Sequence, residues 1–167
     1  MEVKRLLCVD LGTFYCGIEL SDVAEILREC QLTPIPCVPD YYMGVCNWKG
    51  SILAVASLQR VIGDPDMAVN TAANKDADTA ATPENHNLSD ISGRSVVIIL
   101  KSKKYECGLL TEQKPQILEF HDENILSGDI PNVCGDLLKV REGYLSEDGR
   151  SVYVLDAESS LENLVVY

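Results

Sequence analysis

The side chains most able to bind a metal or to attack a substrate are seven cysteines and two histidines. The cysteine count is odd and no Cys-x-x-Cys pair occurs, so the spacing predicts neither a disulfide framework nor a zinc site. His86 lies in a polar stretch, and His121 precedes Asp122 and Glu123 without a second histidine or a cysteine at ligand spacing. The chain also lacks a Gly-rich phosphate loop and a Gly-x-Ser-x-Gly motif. We therefore predict no enzyme activity, with no catalytic residue, no bound metal and no cofactor.

The net charge and hydropathy of the chain limit its partners and its compartment. The formal net charge of −12 argues against nucleic acid as a partner, because phosphate binding requires a clustered positive surface. It favours partners that are basic or apolar where they touch, although many acidic proteins have no such partner. No apolar run approaches the roughly 20 residues that span a bilayer, and Met1–Arg5 leads into a strand pattern rather than an apolar leader. Because unpaired cysteines favour a reducing compartment, we predict a soluble, cytoplasmic protein without direct membrane insertion.

The sequence Asn-Trp-Lys-Gly at residues 47–50 joins two apolar stretches that have the composition of paired strands. Asn47 and Gly50 readily adopt the backbone torsions of a tight turn. Such a turn would present Trp48 and Lys49 outward, and an exposed tryptophan beside a charge is typical of a protein interface. The alternative is a turn whose tryptophan folds back onto the protein.

About ten short strand patterns surround this turn, and the helices predicted beside them are small. The pattern suits a mainly β fold, either a pair of small barrels or a sandwich, and it lacks the strand–helix–strand rhythm of a doubly wound sheet.

Residues 64–93 divide the strands into two groups of about five. This stretch has no aromatic residue and holds six acids against one lysine, so it cannot bury enough apolar surface to offset its ordering entropy. We predict a mobile, disordered acidic loop there. Beside a hairpin over Arg5–Ile18, the predicted strands are Met43–Asn47, Ser51–Ser57, Ser95–Leu100, Tyr105–Leu110, Gln116–Phe120, Leu137–Arg141, Gly143–Leu145 and Val152–Asp156, with short helices at Leu58–Ile62 and Ala157–Leu164.

The segment before the turn begins with helical periodicity. Apolar residues recur at i, i+3, i+4 and i+7 over Val23–Cys30, which predicts a short amphipathic helix with Ser21 as its N-cap. Glu25 lies opposite the apolar stripe and should face solvent, where it could contact a partner or pair locally with Arg28. A ridge of prolines, tyrosines and a methionine follows and includes Tyr42. We interpret this ridge as the seam between two barrels, and the alternative is an exposed docking edge.

The stretch from Val23 to Leu58 resembles the CheW-like family of bacterial chemotaxis coupling proteins. That family shows Val-x-Glu-Ile, then Leu-Thr-x-hydrophobic-Pro-x-x-Pro-x-Tyr/Phe-x-x-Gly-Val-x-Asn-x-Arg-Gly, then a strand ending in Asp-Leu. The second half resembles the family more weakly, in the strand pair over residues 95–110 and the strand, Asp and helix over residues 152–164. The matching residues of the first half are Val23, Glu25, Ile26, Leu32, Thr33, Pro36, Pro39, Tyr42, Gly44, Val45, Asn47, Lys49, Gly50 and Leu58.

The resemblance implies a fold and a role. Residues 1–167 would form one CheW-like domain of two five-stranded, SH3-like barrels side by side, with short accessory helices. The protein would be a non-enzymatic signal-transduction adaptor that couples the cytoplasmic tip of a methyl-accepting chemoreceptor to the regulatory domain of a chemotaxis histidine kinase. It could then be recruited to membrane receptor arrays. The partner-binding residues implied by the family pattern and the turn are Glu25, Tyr42, Asn47, Trp48, Lys49 and Gly50.

Several positions depart from the family pattern. Lys49 stands where the family has arginine, which keeps the charge but loses the planar, bidentate fork. Ser57 replaces an acid, Ala54 replaces a proline, and Thr111–Gln116 replaces an apolar and acidic run. These changes favour a divergent paralogue, and one alternative is a scaffold or decoy that binds only one partner. Another alternative, a small-ligand sensor or enzyme on a double barrel, is disfavoured because the sequence has no titratable cluster.

Overall fold

The computed structural model describes residues 2–63, 95–128, 130, 134 and 137–165. The acidic loop predicted at residues 64–93 lies outside the described residues, as does His86. Within the described part of the chain, no helix combines the length and the hydrophobicity needed to cross a bilayer.

Ten strands and two short α-helices form the described structure. The mainly β prediction is confirmed, and most of the predicted strands appear within two residues of their expected bounds. The two strands predicted at Leu137–Arg141 and Gly143–Leu145 are instead one strand, Val140–Leu145. The elements are β1 (Val3–Asp10), β2 (Tyr15–Glu19), β3 (Val23–Leu27), β4 (Tyr42–Trp48), β5 (Ser51–Ser57), α1 (Leu58–Ile62), β6 (Val96–Lys101), β7 (Glu106–Thr111), β8 (Gln116–His121), β9 (Val140–Leu145), β10 (Ser151–Leu155) and α2 (Ala157–Val165).

The strands form two five-stranded sheets, and each sheet has the architecture of a small barrel. The first barrel has the order β8-β1-β2-β10-β9, and the second has the order β3-β6-β7-β5-β4. All neighbours are antiparallel except β2 with β10 and β5 with β7. In each barrel one isolated bridge joins the chain that follows one outer strand to the other outer strand, Ile125 to Tyr144 of β9 in the first and Thr33 to Val45 of β4 in the second. The prediction of two five-stranded, SH3-like barrels is confirmed.

The two halves of the chain repeat the same order of elements and exchange strands. Each half supplies a two-stranded hairpin, then three strands and a helix. The hairpin β1–β2 joins β8, β9 and β10 of the other half, and the hairpin β6–β7 joins β3, β4 and β5. Neither barrel therefore belongs to one half of the sequence, although the strand count divides evenly between the halves.

Matching glycines lie in the central strand of each barrel. A Cβ atom at Gly17 of β2 would lie 3.0 Å from Val152 Cγ1, and one at Gly108 of β7 would lie 2.7 Å from Val97 Cγ1 and 3.1 Å from Val55 Cγ2. Val152 and Val55 belong to the parallel neighbour of the glycine strand, whereas Val97 belongs to the antiparallel neighbour β6. Because a larger residue would press the parallel strand away, glycine at these two positions permits the close approach of strands from different halves.

The helices that end the two halves have equivalent caps. Ser57 Oγ accepts a hydrogen bond from the backbone N–H of Arg60 at the start of α1, with an N···O distance of 3.4 Å. Asp156 Oδ1 accepts one from Ser159 at the start of α2, at 3.2 Å. Each cap satisfies one of the N–H groups that a helix leaves unpaired in its first turn. Ser57, which departs from the family acid, therefore acts as the cap of α1.

Strand alternation divides the apolar residues among three buried clusters. On β1, Leu6 lies inside the first barrel, whereas Leu7 lies in the seam between the barrels. On β6, Ile99 lies inside the second barrel and Ile98 lies in the seam. Because successive side chains of a strand point to opposite faces, one apolar run fills both a barrel interior and the seam. The burial of each such leucine or isoleucine side chain stabilises the folded state by about 1.5–3 kcal/mol.

The helix predicted over Val23–Cys30 is wrong. A 3-10 turn at Leu20–Asp22 leads directly into the strand β3, and Ser21 lies within that turn rather than capping an α-helix. The register of β3 against β6 shifts between Val23 and Glu25, which marks a bulge or irregularity. A bulge interrupts the two-residue alternation of a strand, and the apolar side chains consequently fall at a spacing that imitates a helix.

Candidate functional site

The turn between β4 and β5 has two residues with positive φ. Lys49 has φ 51° and Gly50 has φ 81°, the combination found at the central positions of a type I′ hairpin turn. The torsions therefore come from Lys49 and Gly50 rather than from Asn47 and Gly50 as predicted. Asn47 supports the turn differently, because its Oδ1 accepts a hydrogen bond from the backbone N–H of Gly50 at 3.1 Å.

Trp48 is the last residue of β4, and its side chain is half-buried. The indole packs against the apolar interior of the second barrel, so it is not presented fully outward. Its Nε1–H donates a hydrogen bond to Glu25 Oε2, with an N···O distance of 2.6 Å. Lys49 Nζ lies 5.0 Å from the centroid of the indole ring, within the range of a cation–π contact. The tryptophan thus touches a carboxylate at its edge and an ammonium group at its face.

Glu25 is exposed, as predicted, but it lies on an outer strand of the second barrel rather than on a helix. Among the residues that the structure describes, no ion pair joins Glu25 to Arg28 or to another base. The carboxylate instead accepts the indole N–H from across the barrel edge. The hydrogen bond to Trp48 thus connects β3 to the tip of the β4–β5 hairpin.

A groove of about 740 Å³ is lined by residues of β3, of the segment after it and of β4, and both partners of this hydrogen bond are among them. The segment that follows β3 is joined to β4 there by the backbone of Thr33 and Val45, with N···O distances of 2.8 and 2.9 Å. The wall of the groove is largely apolar, and it includes Ile52, whose exposed fraction is 81%. Cys30 also lines the groove, and burial raises the pKa of its thiol to about 12, so the thiol contributes a neutral, weakly polar surface.

The backbone contact between Thr33 and Val45 depends on Gly44. Its φ is +139°, a conformation that side chains rarely adopt. A Cβ atom at this position would lie only 2.5 Å from the carbonyl oxygen of Thr33. The glycine therefore permits the backbone approach that closes the second barrel beside the groove.

Tyr42 lies apart from the other predicted site residues. It begins β4, whereas Trp48 ends the strand, and six residues of extended chain span roughly 20 Å. Tyr42 is half-buried, its ring centroid is 4.8 Å from that of Tyr41, and both rings pack against the seam. The two tyrosines of the ridge thus lie at the seam, whereas Met43 of the same ridge packs against the interior of the second barrel. The structure brings together Glu25, Asn47, Trp48, Lys49 and Gly50.

The comparisons with known proteins agree with this architecture. A family model described as the CheW-like domain matches residues 5–165. This chain belongs to the CheW-like family. It is 20% identical to the chemotaxis protein CheW of Thermotoga maritima over 151 residues, which cover 90% of this chain and 82% of the relative. Over 59 residues it is 34% identical to the protein FrzA of Myxococcus xanthus, covering 35% of this chain and 37% of FrzA. The crystal structure of the scaffolding protein TtCheW from Thermoanaerobacter tengcongensis has a TM-score of 0.67 at 17% identity, covering 93% of this chain and 90% of that one.

Membership in the CheW-like family assigns the general role. CheW family members are scaffold or adaptor proteins rather than enzymes, and they couple receptors to a histidine kinase in chemotaxis. This protein is therefore a chemotaxis adaptor by family. Within the described residues, no cluster of three or more His, Cys, Asp or Glu side chains could hold a metal ion. The backbone N–H of His121 donates a hydrogen bond to Asn124 Oδ1 at 3.0 Å, at the 3-10 turn that follows β8.

A polar network at the tip of the β9–β10 hairpin was not predicted. Arg150 Nη1 donates to Asp10 Oδ1 at 2.7 Å, and Arg150 Nη2 pairs with Asp148 Oδ2 at 2.8 Å. Tyr15 donates its hydroxyl to Asp148 Oδ2 at 2.8 Å and accepts a hydrogen bond from Arg150. The Arg150 guanidinium holds the pKa of both aspartates below the ordinary value. Because Arg150 and Asp10 are 140 residues apart, no local pattern in the sequence indicates this network.

Proposed function

We propose that this CheW-like protein couples a methyl-accepting chemoreceptor to the regulatory domain of a chemotaxis histidine kinase in the cytoplasm. The observation that carries this proposal is the arrangement of the exposed Glu25 and Lys49 around the half-buried Trp48, beside an apolar groove in the second barrel. An aromatic residue flanked by charges and by exposed apolar surface is the composition of an interface anchor. This hairpin tip would contact the kinase domain, and a surface near the seam between the barrels would contact the receptor tip.

The mechanism requires no chemical step. A shared seam of buried residues joins the two barrels, so a partner on one barrel and a partner near the seam would be held by the same packed unit. Binding of either partner then changes the free energy available for the other through that unit. The acidic charge of the chain favours partners with a basic or apolar contact surface.

Calorimetric titration of the purified protein with the kinase regulatory domain tests this function. We expect wild type to bind, and Trp48→Ala and Lys49→Ala each to raise the dissociation constant by about fivefold or more. Lys103→Ala is the matched control, because it removes an exposed lysine from the β6–β7 turn of the same barrel. Binding by wild type with unchanged affinity in both hairpin variants would retain the adaptor and reject this binding site.

A second candidate is a scaffold or decoy that binds only one of the two partners. Lys49 favours it, because the ammonium group cannot form the bidentate pair available to the arginine of the family pattern. Pull-down with an immobilised kinase regulatory domain and a soluble receptor-tip fragment distinguishes the two functions. Recovery of the receptor fragment only when this protein is added supports the coupling adaptor. Retention of this protein on the kinase domain without the receptor fragment supports the one-partner scaffold.

A further inference from the structure

Trp48 lies between two charged groups, the carboxylate of Glu25 and the ammonium group of Lys49. The Glu25 carboxylate is exposed and accepts the neutral indole N–H at 2.6 Å, while Lys49 Nζ lies 5.0 Å from the centre of the same ring. Within the described part of the chain, neither Glu25 nor Lys49 takes part in an ion pair. Both charges are thus available to a partner without loss of an ion pair among the residues that the structure describes.

The groove adjoining these charges combines apolar walls with a net negative rim. Glu25 and Glu29 line it, and Lys49 is the basic residue among its lining side chains. Ile52 adds a large apolar side chain that is 81% exposed. Charge complementarity therefore favours an occupant that brings a positive charge next to an apolar side chain.

Building on the proposed function, we propose that this groove receives a segment of the kinase regulatory domain in which an arginine neighbours an apolar residue. The arginine forms an ion pair with Glu25 and replaces the hydrogen bond from the Trp48 indole. The indole then packs against the apolar residue in the groove. Arginine fits better than lysine, because its planar guanidinium can meet the carboxylate with two N–H groups and stack on an aromatic ring. In the complex Trp48 thus contributes its ring surface, whereas its N–H holds the Glu25 carboxylate only in the free protein.

The proposal separates the roles of the ring and of its N–H group. Trp48→Phe keeps an aromatic ring but cannot donate to Glu25, whereas Trp48→Ala removes the contact surface as well. Glu25→Gln keeps an oxygen that can accept the indole N–H but removes the charge that an arginine requires. Glu119→Gln is the matched control, because Glu119 is an exposed strand glutamate on the other barrel.

The test measures the affinity of each variant for the kinase regulatory domain by calorimetry at two salt concentrations. We expect Glu25→Gln to raise the dissociation constant about tenfold or more and to reduce its salt dependence, because a screened charge pair is lost. Trp48→Phe should stay within about threefold of wild type, because the indole N–H leaves Glu25 in the complex while an aromatic ring remains. Glu119→Gln should match wild type. Thermal melting establishes that each variant is folded before titration.

Fluorine NMR provides a second reading of the same event. Trp48 is the single tryptophan of the chain, so 5-fluorotryptophan labelling gives one reporter, and the unlabelled kinase domain adds no signal. We expect the resonance to shift when the complex forms. Wild-type binding with unchanged affinity in Glu25→Gln, or with an unmoved resonance, would overturn the proposal while leaving the adaptor function intact. A Trp48→Phe loss as large as that of Trp48→Ala would also overturn it, and absence of wild-type binding would reject the kinase contact itself.

Discussion

The tips of the β9–β10 and β4–β5 hairpins occupy equivalent places in the two barrels but are stabilised differently. At the β9–β10 tip, Arg150 pairs with Asp10 and Asp148 and contacts Tyr15, so the charged groups are compensated within the protein. At the β4–β5 tip, one hydrogen bond from Trp48 reaches Glu25 and the nearby charges remain without an ionic partner among the described residues. We call the β9–β10 tip, whose charges are paired, the closed tip, and the β4–β5 tip the open tip.

This difference separates a stabilising device from a candidate binding surface. Charges that are already paired and hydrogen-bonded offer little to a partner, because binding would first have to replace those interactions. A carboxylate held by a neutral donor, next to exposed apolar surface, can gain interactions when a partner arrives. The contrast predicts that substitutions at the first tip change stability, whereas substitutions at the second tip change binding.

The largest expected effect concerns the closure of the second barrel. Gly44→Ala should lower the free energy of unfolding by at least about 3 kcal/mol, because it combines an unfavourable φ with a backbone clash. Gly143→Ala at β9 of the first barrel should cost only about 1 kcal/mol, since its Cβ would meet the flexible end of Leu126 at 3.1 Å and the carbonyl oxygen of Val152 at 3.4 Å. Urea denaturation of both variants measures the difference. Equal losses would contradict the view that the second barrel is closed by one critical backbone contact.

An intermediate effect is expected from breaking the closed tip. Arg150→Ala should lower the melting temperature by a few degrees near neutral pH, because Asp10 and Asp148 lose their partner. The folded pKa of Asp10 lies below its ordinary value of 3.8, chiefly because Arg150 donates a hydrogen bond to it. That stabilisation is fully present above pH 3.8 and is lost as the pH falls through the folded pKa.

The pH dependence of unfolding identifies this contribution. The free energy of unfolding of wild type should fall steeply below about pH 4. For Arg150→Ala it should fall less steeply there, because the ion pair that protonation of Asp10 removes is already absent. Lys49→Ala is the control at the open tip and should follow the wild-type curve. Parallel curves for wild type and Arg150→Ala would show that the network does not stabilise the native state.

The smallest expected effect separates stability from binding at the open tip. Lys49→Asn should make the protein about 0.5 kcal/mol more stable, because asparagine adopts positive φ at a type I′ turn more readily than lysine. The same substitution should weaken binding to the kinase domain, because the ammonium group is removed. Denaturant titration and calorimetry on one preparation measure both quantities. A variant that is more stable and binds as well as wild type would remove Lys49 from the interface.

The sequence was a good guide to elements whose cause is local. The apolar runs of β5 and β6 and the Asp156 cap of α2 depend on neighbouring residues, and they appear where the pattern predicted strands and a helix. The strand β3 was misread because a bulge near Val23 disturbs the alternation. The exchange of strands between the halves could not be read from local patterns, since it depends on close approaches at Gly17 and Gly108 between strands distant in sequence.

The same difference between local and long-range causes explains why only part of the candidate site was predicted. The turn at residues 47–50 follows from local turn chemistry, and the family resemblance added Glu25. The hydrogen bond between Trp48 and Glu25 joins residues 23 positions apart, and it exists only because β3 is an extended strand beside β4. The groove and the exposed Ile52 follow from barrel closure, which is a tertiary property.

The exchange of strands between the halves also sets an order in which the barrels can be completed during synthesis. The second barrel has all five of its strands once β7 has emerged at Thr111. The first barrel must hold its initial hairpin, β1–β2, until β10 arrives at Leu155. Long-range pairings of this kind close slowly because their loop entropy is lost before the contacts form. The barrel that carries the candidate partner site is therefore the first that the growing chain can finish, and the barrel with the closed tip is the last.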